Sequence, residues 1–293
     1  MNNKVGIYYA FWEQEWAADY FKYVDKVSQL GFDVLELAAG GLEQMTAAQR
    51  RDLAHAAKDA GVELTYCIGF PAQYDMASPD ASVRRSGMDY ARKLLKMIGE
   101  MDGKILGGII YSCWPASQFP RGDKRPYWDR SVACVREVAQ TAADEGVTYC
   151  LEVVNRFEQF LINTAAEGVQ FAKEVGSDSV KLLLDAFHMN IEEDTLSGAV
   201  RSAKGYIGHI HIGEANRRAP GRGHMPWDDL MDGLRDAEYD GRIVMEPFVR
   251  MGGQVGQDIH MWHDLSDNGD EAYLDGEAAF ALKFIRDKLA ERS

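Results

Sequence analysis

The sequence predicts an α/β fold in which eight strands and eight helices alternate and close into a single (β/α)8 (TIM) barrel. Three observations carry that expectation. Short apolar or β-branched runs recur eight times along the 293 residues, each followed by a longer stretch of helical period. Five of those stretches stop at a glycine just past the last turn: Gly31, Gly61, Gly146, Gly176 and Gly205. That is the cap position where the chain turns left-handed and a Cβ is unwelcome. The turn after the first run, AFWEQEW, has no GxGxxG, which argues against an open dinucleotide-binding sheet.

Taken in order, strands are expected at 5–10, 33–37, 63–68, 105–111, 148–154, 180–185, 207–212 and 242–246. Helices are expected at 16–30, 46–60, 79–100, 127–145, 164–175, 195–204, 226–238 and 275–289. Eight such pairs are the count for a closed barrel. No low-complexity linker interrupts them, so residues 1–293 read as one catalytic domain. The Gly/Asp-rich stretch 252–276 is long for a barrel loop. It reads as a lid, a subunit contact or a plain surface excursion.

Composition narrows the function. Hydrophobic residues make up 46% and charged residues 27%, as in an ordinary globular chain that builds a large core without staples. The 46 acidic residues outnumber the 32 basic ones, for a formal charge of −14. That field repels phosphate backbones and anionic lipid, so neither nucleic acid nor a membrane surface is expected as a partner. Cys67, Cys113, Cys134 and Cys150 form no CxxC pair and match no zinc framework. Cys67 and Cys150 lie in apolar runs, where a buried inert thiol is expected. A reducing compartment follows. No secretory h-region and no stretch of about 18 apolar residues is present, so the cytoplasm is the expected location.

The chemistry lies at the ends of the last four strands. CLEVV carries Glu152, KLLLD carries Asp185, IGHIHIG carries His211 and IVMEP carries Glu246. Carboxyl ends of barrel strands converge on one face. Any one of these residues alone is equally well a salt-bridged side chain. Three carboxylates at one point, however, require a positive charge. Three carboxylates and one imidazole make a hard, oxygen-rich site, which favours Mn²⁺, Mg²⁺ or Co²⁺ over thiolate-bound zinc. Mn²⁺ is the first choice, because an imidazole nitrogen suits it better than Mg²⁺. His209 precedes His211 by two residues on the same strand face, so it is expected one layer lower, in the core. Glu36 reads as a core ion pair or a neighbour of the ligands. Trp12 and Trp262 read as packing or subunit contacts.

Longer words surround these residues: LEVVNRFEQF, LDAFHMNIEE, HIGEANRRAPGRG and VMEPF, with YDMASPD and DKRPY upstream. They resemble the D-tagatose/D-psicose (allulose) 3-epimerase family of ketose 3-epimerases, over nearly the whole chain. The resemblance implies a (β/α)8 barrel, a Mn²⁺- or Co²⁺-dependent site, a free ketose as substrate, and a homodimer or homotetramer. It implies that Glu152 and Glu246 flank C3 of the sugar. It matches Glu158, His188 and Arg217 to positions that hold O1 to O3, and Tyr8, Trp16, Cys67 and Trp114 to positions that line the pocket. Read on their own, Arg217 has a solvated loop cation as its alternative reading, and His188 a packed histidine at a helix start. Trp16 and Trp114 fit a pocket wall, where aromatic faces stack on sugars and exclude water.

Inverting C3 of a ketose removes a proton from one face and returns one to the other. A cation on O2 and O3 would polarise the C2 carbonyl and stabilise a cis-enediolate. Two carboxylates on opposite sides serve both faces, as Glu152 and Glu246 would. An aldose–ketose isomerase on the same barrel needs nearly the same chemistry and is the main rival. A phosphoesterase or endonuclease would gather more histidines around several metals. A non-catalytic barrel has no need of three converging carboxylates.

Overall fold

The computed structural model describes residues 1–117 and 119–292. Eight strands pair in parallel in chain order, and the first closes on the last. They are β1 (Val5–Tyr8), β2 (Val34–Ala38), β3 (Glu63–Cys67), β4 (Ile105–Gly108), β5 (Thr148–Val153), β6 (Val180–Asp185), β7 (Ile207–Ile212) and β8 (Ile243–Met245). The helices are α1 (Tyr20–Leu30), α2 (Ala47–Asp59), α3 (Ala81–Glu100), α4 (Arg125–Glu145), α5 (Ala165–Val175), α6 (Ala186–Glu192), α7 (Leu196–Ser202), α8 (Trp227–Asp236), α9 (Gly253–Asp258) and α10 (Glu271–Ala290). All five predicted cap glycines have positive φ, from 64° to 87°.

The differences from expectation lie where the chain leaves the barrel. α1 starts at Tyr20, not near residue 16, because Asp19 accepts a hydrogen bond from the Phe21 N–H and so caps the helix there. Residues 12–19 are thereby left as a loop over the barrel mouth. β4 ends at Gly108, three residues early. Its φ is +116°, and a Cβ there would sit 2.1 Å from the Ile68 carbonyl oxygen, so the close approach of the two chains needs glycine. α6 is a short helix directly after β6, and α9 lies inside the long 252–276 stretch.

Most apolar burial lies between the strands and the helices. Inside the barrel the apolar filling is small: Ile105, Cys150 and Leu183 form a separate cluster. Above it come polar residues. Strand register pairs Leu183 with His209 and Asp185 with His211, and also Tyr8 with Glu36 and Glu36 with Thr65. Partners in register point to the same side, so a polar layer lies under the ligand layer. All four cysteines are free and buried. Among the described residues no helix is long and apolar enough to cross a membrane.

Candidate active site

Glu152, Asp185, His211 and Glu246 meet at one point, with one ligand atom from each within 4.8 Å of the others, and all four are largely shielded from solvent. Each is placed by the end of its strand. Glu152 lies on β5, Asp185 ends β6, and His211 lies on β7. Glu246 follows β8 by one residue, and its N–H still donates to the Ile212 carbonyl at 2.9 Å. Asp185 divides its two oxygens. Oδ1 accepts from the Phe187 N–H at 2.8 Å and caps α6, while Oδ2 is buried with no hydrogen-bond partner. His211 Nδ1 is likewise buried and unpartnered, 3.5 Å from Glu246 Oε1.

This much negative charge is expensive. Two carboxylates within 4.8 Å of each other repel by about 3 kcal/mol or more at an effective dielectric of about 20. Burial, then the charge of Glu246, pushes the Glu152 carboxyl well above the usual range. Burial also raises Glu246, to about 7, with the Asp185 charge adding and the nearby His211 opposing. The orphaned Asp185 and His211 atoms and the oxygen-rich donor set fit one hard divalent cation. A second group, Glu36, Cys67 and His211, also clusters. It fits a cation poorly. Glu36 is engaged by His209 below the site and by the far nitrogen of His211, and burial with the Glu152 and Glu36 charges holds the Cys67 thiol protonated.

A cavity of about 460 Å³ opens above the ligands. All seven residues predicted to hold or enclose a substrate line it: Tyr8, Trp16, Cys67, Trp114, Glu158, His188 and Arg217. Their contacts interlock. Glu158 Oε2 accepts from the Trp114 indole at 2.8 Å, and Oε1 from the Asn155 amide at 2.9 Å. Burial alone would raise its pKa, but His188, Arg217 and these two donors hold the carboxyl low. His188 Nδ1 accepts from the Asn155 backbone N–H at 3.2 Å, which puts the ring proton on Nε2. That nitrogen stands 3.7 Å from both Glu152 Oε1 and Asp185 Oδ2. Burial lowers the His188 pKa, so the ring is a neutral donor. Arg217 reaches 3.5 Å from Glu246, 3.8 Å from Asp185 and 3.9 Å from Glu158. It holds a left-handed backbone at φ 64°, a strain of about 1–3 kcal/mol that its surroundings must offset. Phe187, 3.6 Å below the guanidinium, is one such partner.

Sequence reasoning missed several residues here. Phe187 and Phe248 both lie against the Arg217 guanidinium, at 3.6 and 5.4 Å. Each stands two residues past a member of the cluster, Asp185 or Glu246, and that spacing is the signal in hindsight. Asp258 also lines the cavity, and its Oδ2 accepts from the Trp16 indole at 2.7 Å. The Val255 N–H donates to the Gln14 carbonyl at 3.0 Å, and the Gln14 amide to the Met251 carbonyl at 2.6 Å. The 252–276 stretch thus begins as a wall of the pocket, stitched to the loop after β1. Trp12 is structural, its indole on Asp275 at 2.8 Å, whereas Trp262 is 69% exposed. His209 is fully buried beneath His211, as expected.

The model of the xylose isomerase-like TIM barrel family matches residues 24–266. The D-psicose 3-epimerase of Ruminiclostridium cellulolyticum is 50% identical over 283 residues, covering 97% of each chain. That of Agrobacterium fabrum is 44% identical over 283 residues, covering 97% of this chain and 98% of its own. The crystal structure of D-psicose 3-epimerase with D-tagatose from Clostridium cellulolyticum H10 superimposes with a TM-score of 0.95 at 50% identity, over 98% of this chain and 99% of that one.

Proposed function

Because this chain belongs to the D-tagatose/D-psicose 3-epimerase family of xylose isomerase-like TIM barrels, and is thus a ketose 3-epimerase, we propose that Glu152, Asp185, His211 and Glu246 hold one divalent cation while Glu152 and Glu246 invert C3. Mn²⁺ is the preferred ion, with Co²⁺ or Mg²⁺ as substitutes. The convergence of four buried ligand side chains, two with orphaned atoms, carries this reading. When bound, the cation supplies Lewis-acid polarisation of the C2 carbonyl.

The residues divide the remaining work. One glutamate takes the C3 proton and the other returns a proton to the opposite face, so one must be protonated while the other is not. Burial raises both carboxyls, with the Glu246 charge adding at Glu152 and the Asp185 charge adding at Glu246, and this keeps a proton available near neutral pH. His188 donates from Nε2 to a sugar oxygen at the C1–C2 end. Arg217 and Glu158 hold the neighbouring hydroxyls, with Glu158 fixed by Trp114 and Asn155. Tyr8, Trp16, Cys67 and Trp114 exclude water and pack against the carbon chain. The substrate is a free ketose such as D-fructose, D-psicose, D-tagatose or D-sorbose. Glu152, Glu158, Glu246 and Asp258 all line the cavity, and Arg217 already faces carboxylates, so a sugar phosphate is disfavoured.

D-Fructose incubated with enzyme and Mn²⁺ is expected to yield its C3 epimer, D-psicose, and no aldose on chromatography. Aldose without psicose would replace epimerisation with isomerisation. Asp258→Ala is expected to raise KM for D-fructose several-fold with little change in kcat. It removes a hydrogen bond of about 1 kcal/mol that holds Trp16 over the pocket. An equal loss in kcat would instead place Asp258 in the chemical step. A homodimer or homotetramer is supported by the aromatics left exposed, Phe119, Phe157 and Trp262, and sedimentation reads it directly. The four reduced, buried thiols support a cytoplasmic location.

A further inference from the structure

Beneath the four ligands lies a buried carboxylate that the reaction does not use. Glu36, on β2, is fully buried at the centre of the barrel. Its Oε2 accepts from Thr65 Oγ1 at 2.8 Å and lies 2.8 Å from His209 Nε2. Its Oε1 lies 2.5 Å from His211 Nε2. That contact is short and off-line, but neither atom has another hydrogen-bond partner among the described residues, so each is the other's only available one. An ionised carboxylate only accepts. The proton of His211 therefore sits on Nε2, and the lone pair on Nδ1. Nδ1 is the ring nitrogen that faces the ligand cluster, 3.5 Å from Glu246 Oε1.

We propose that Glu36 is a positioning residue of the metal centre: it fixes His211 as the Nε2–H tautomer and aims Nδ1 at the cation. His209 and Thr65 complete the device. They occupy the other carboxylate oxygen, so Glu36 cannot turn away from His211 or enter the ligand set itself. The two imidazoles lie edge to face, 5.2 Å between ring centres, on alternate residues of β7. One strand thus presents one histidine upward to the site and a second that holds the supporting carboxylate. Carboxylates paired with ligating histidines set ring orientation and strengthen the ligand, and their loss costs about 10–100-fold in metal affinity.

The inference rests on the reading that Glu152, Asp185, His211 and Glu246 bind a cation. Titration calorimetry of the metal-stripped chain with Mn²⁺ tests both. The parent is expected to bind one Mn²⁺, and Glu36→Gln to bind it about 10–100-fold more weakly. A parent that binds no Mn²⁺ would sink the cation reading and this inference with it. A parent that binds, beside a folded Glu36→Gln variant with affinity within twofold, would sink this inference alone and leave Glu36 a core ion pair. Should the variant not fold, ¹⁵N-histidine NMR of the Mg²⁺-loaded parent decides. His211 protonated on Nε2 and ligated through Nδ1 supports the inference, and the reverse assignment overturns it.

Discussion

Glu246→Gln and Glu152→Gln are each expected to lower kcat/KM for D-fructose epimerisation by about 10³-fold or more, equivalent to about 4 kcal/mol of transition-state stabilisation. Glutamine keeps the shape and one oxygen for a cation, but it can neither accept nor hold the transferred proton. The two variants should also differ from each other. If each glutamate serves one face of C3, each variant retains the base for one epimer only. In D₂O one variant should exchange the C3 hydrogen of D-fructose without making psicose, and the other should do the same with D-psicose. NMR of the recovered sugars reads this, and metal content is measured alongside. A variant that keeps its metal and turns over near the parent rate would end the two-base scheme. If one variant exchanged both epimers, a single base would be reaching both faces.

Stripping the cation with a chelator is the second large effect. Activity should vanish and return with Mn²⁺. A cation at about 100 times its dissociation constant adds about 2.7 kcal/mol to folding stability. For a chain of this size that corresponds to a drop in Tm of about 4–8 °C on stripping. The gap should depend on pH. In the stripped protein Glu246 has its carboxyl raised to about 7, and Glu152 is raised as well. A carboxyl with a raised folded pKa favours the folded state below its unfolded value, near 4.5, and loses that advantage as pH rises through the folded value. Protons also compete with the cation for the same ligands. Both effects point the same way, so the Tm gap between loaded and stripped enzyme should widen from about pH 5 to pH 8. A gap that is constant or narrows with pH would mean that the ligand cluster does not carry the charge assigned to it.

The sequence made the barrel and the ligand set legible for the same reason. Period-2 runs such as KLLLD and period-3.6 stretches are local, and the five cap glycines mark where they stop. Once strands alternate with helices eight times, a parallel closed sheet brings the strand ends to one face, and Glu152, Asp185, His211 and Glu246 follow without coordinates. The residues that line the cavity were legible only through longer words such as NRFEQF and GEANRR. Their spacing carries no period, and no spacing rule tells a loop arginine from a pocket arginine. The start of α1 was misread because Asp19, not the apolar pattern, sets it.

The ring of strands and the convergence of Glu152, Asp185, His211 and Glu246 were thus readable from local pattern alone. The tertiary structure alone decided which long-range contacts hold their surroundings in place. Trp16 meets Asp258 across 242 residues, and His209 meets Glu36 across 173. Closing the barrel brings Glu36 of β2 within reach of His209 of β7 across its interior, and the loop after β8 beside the loop after β1. Contacts of that span depend on how layers and loops stack in space, a property that no window of residues contains. The sequence therefore announces the cluster of three carboxylates and a histidine, while the barrel's closure selects the carboxylate beneath His211 and the wall that holds Trp16 over the cavity.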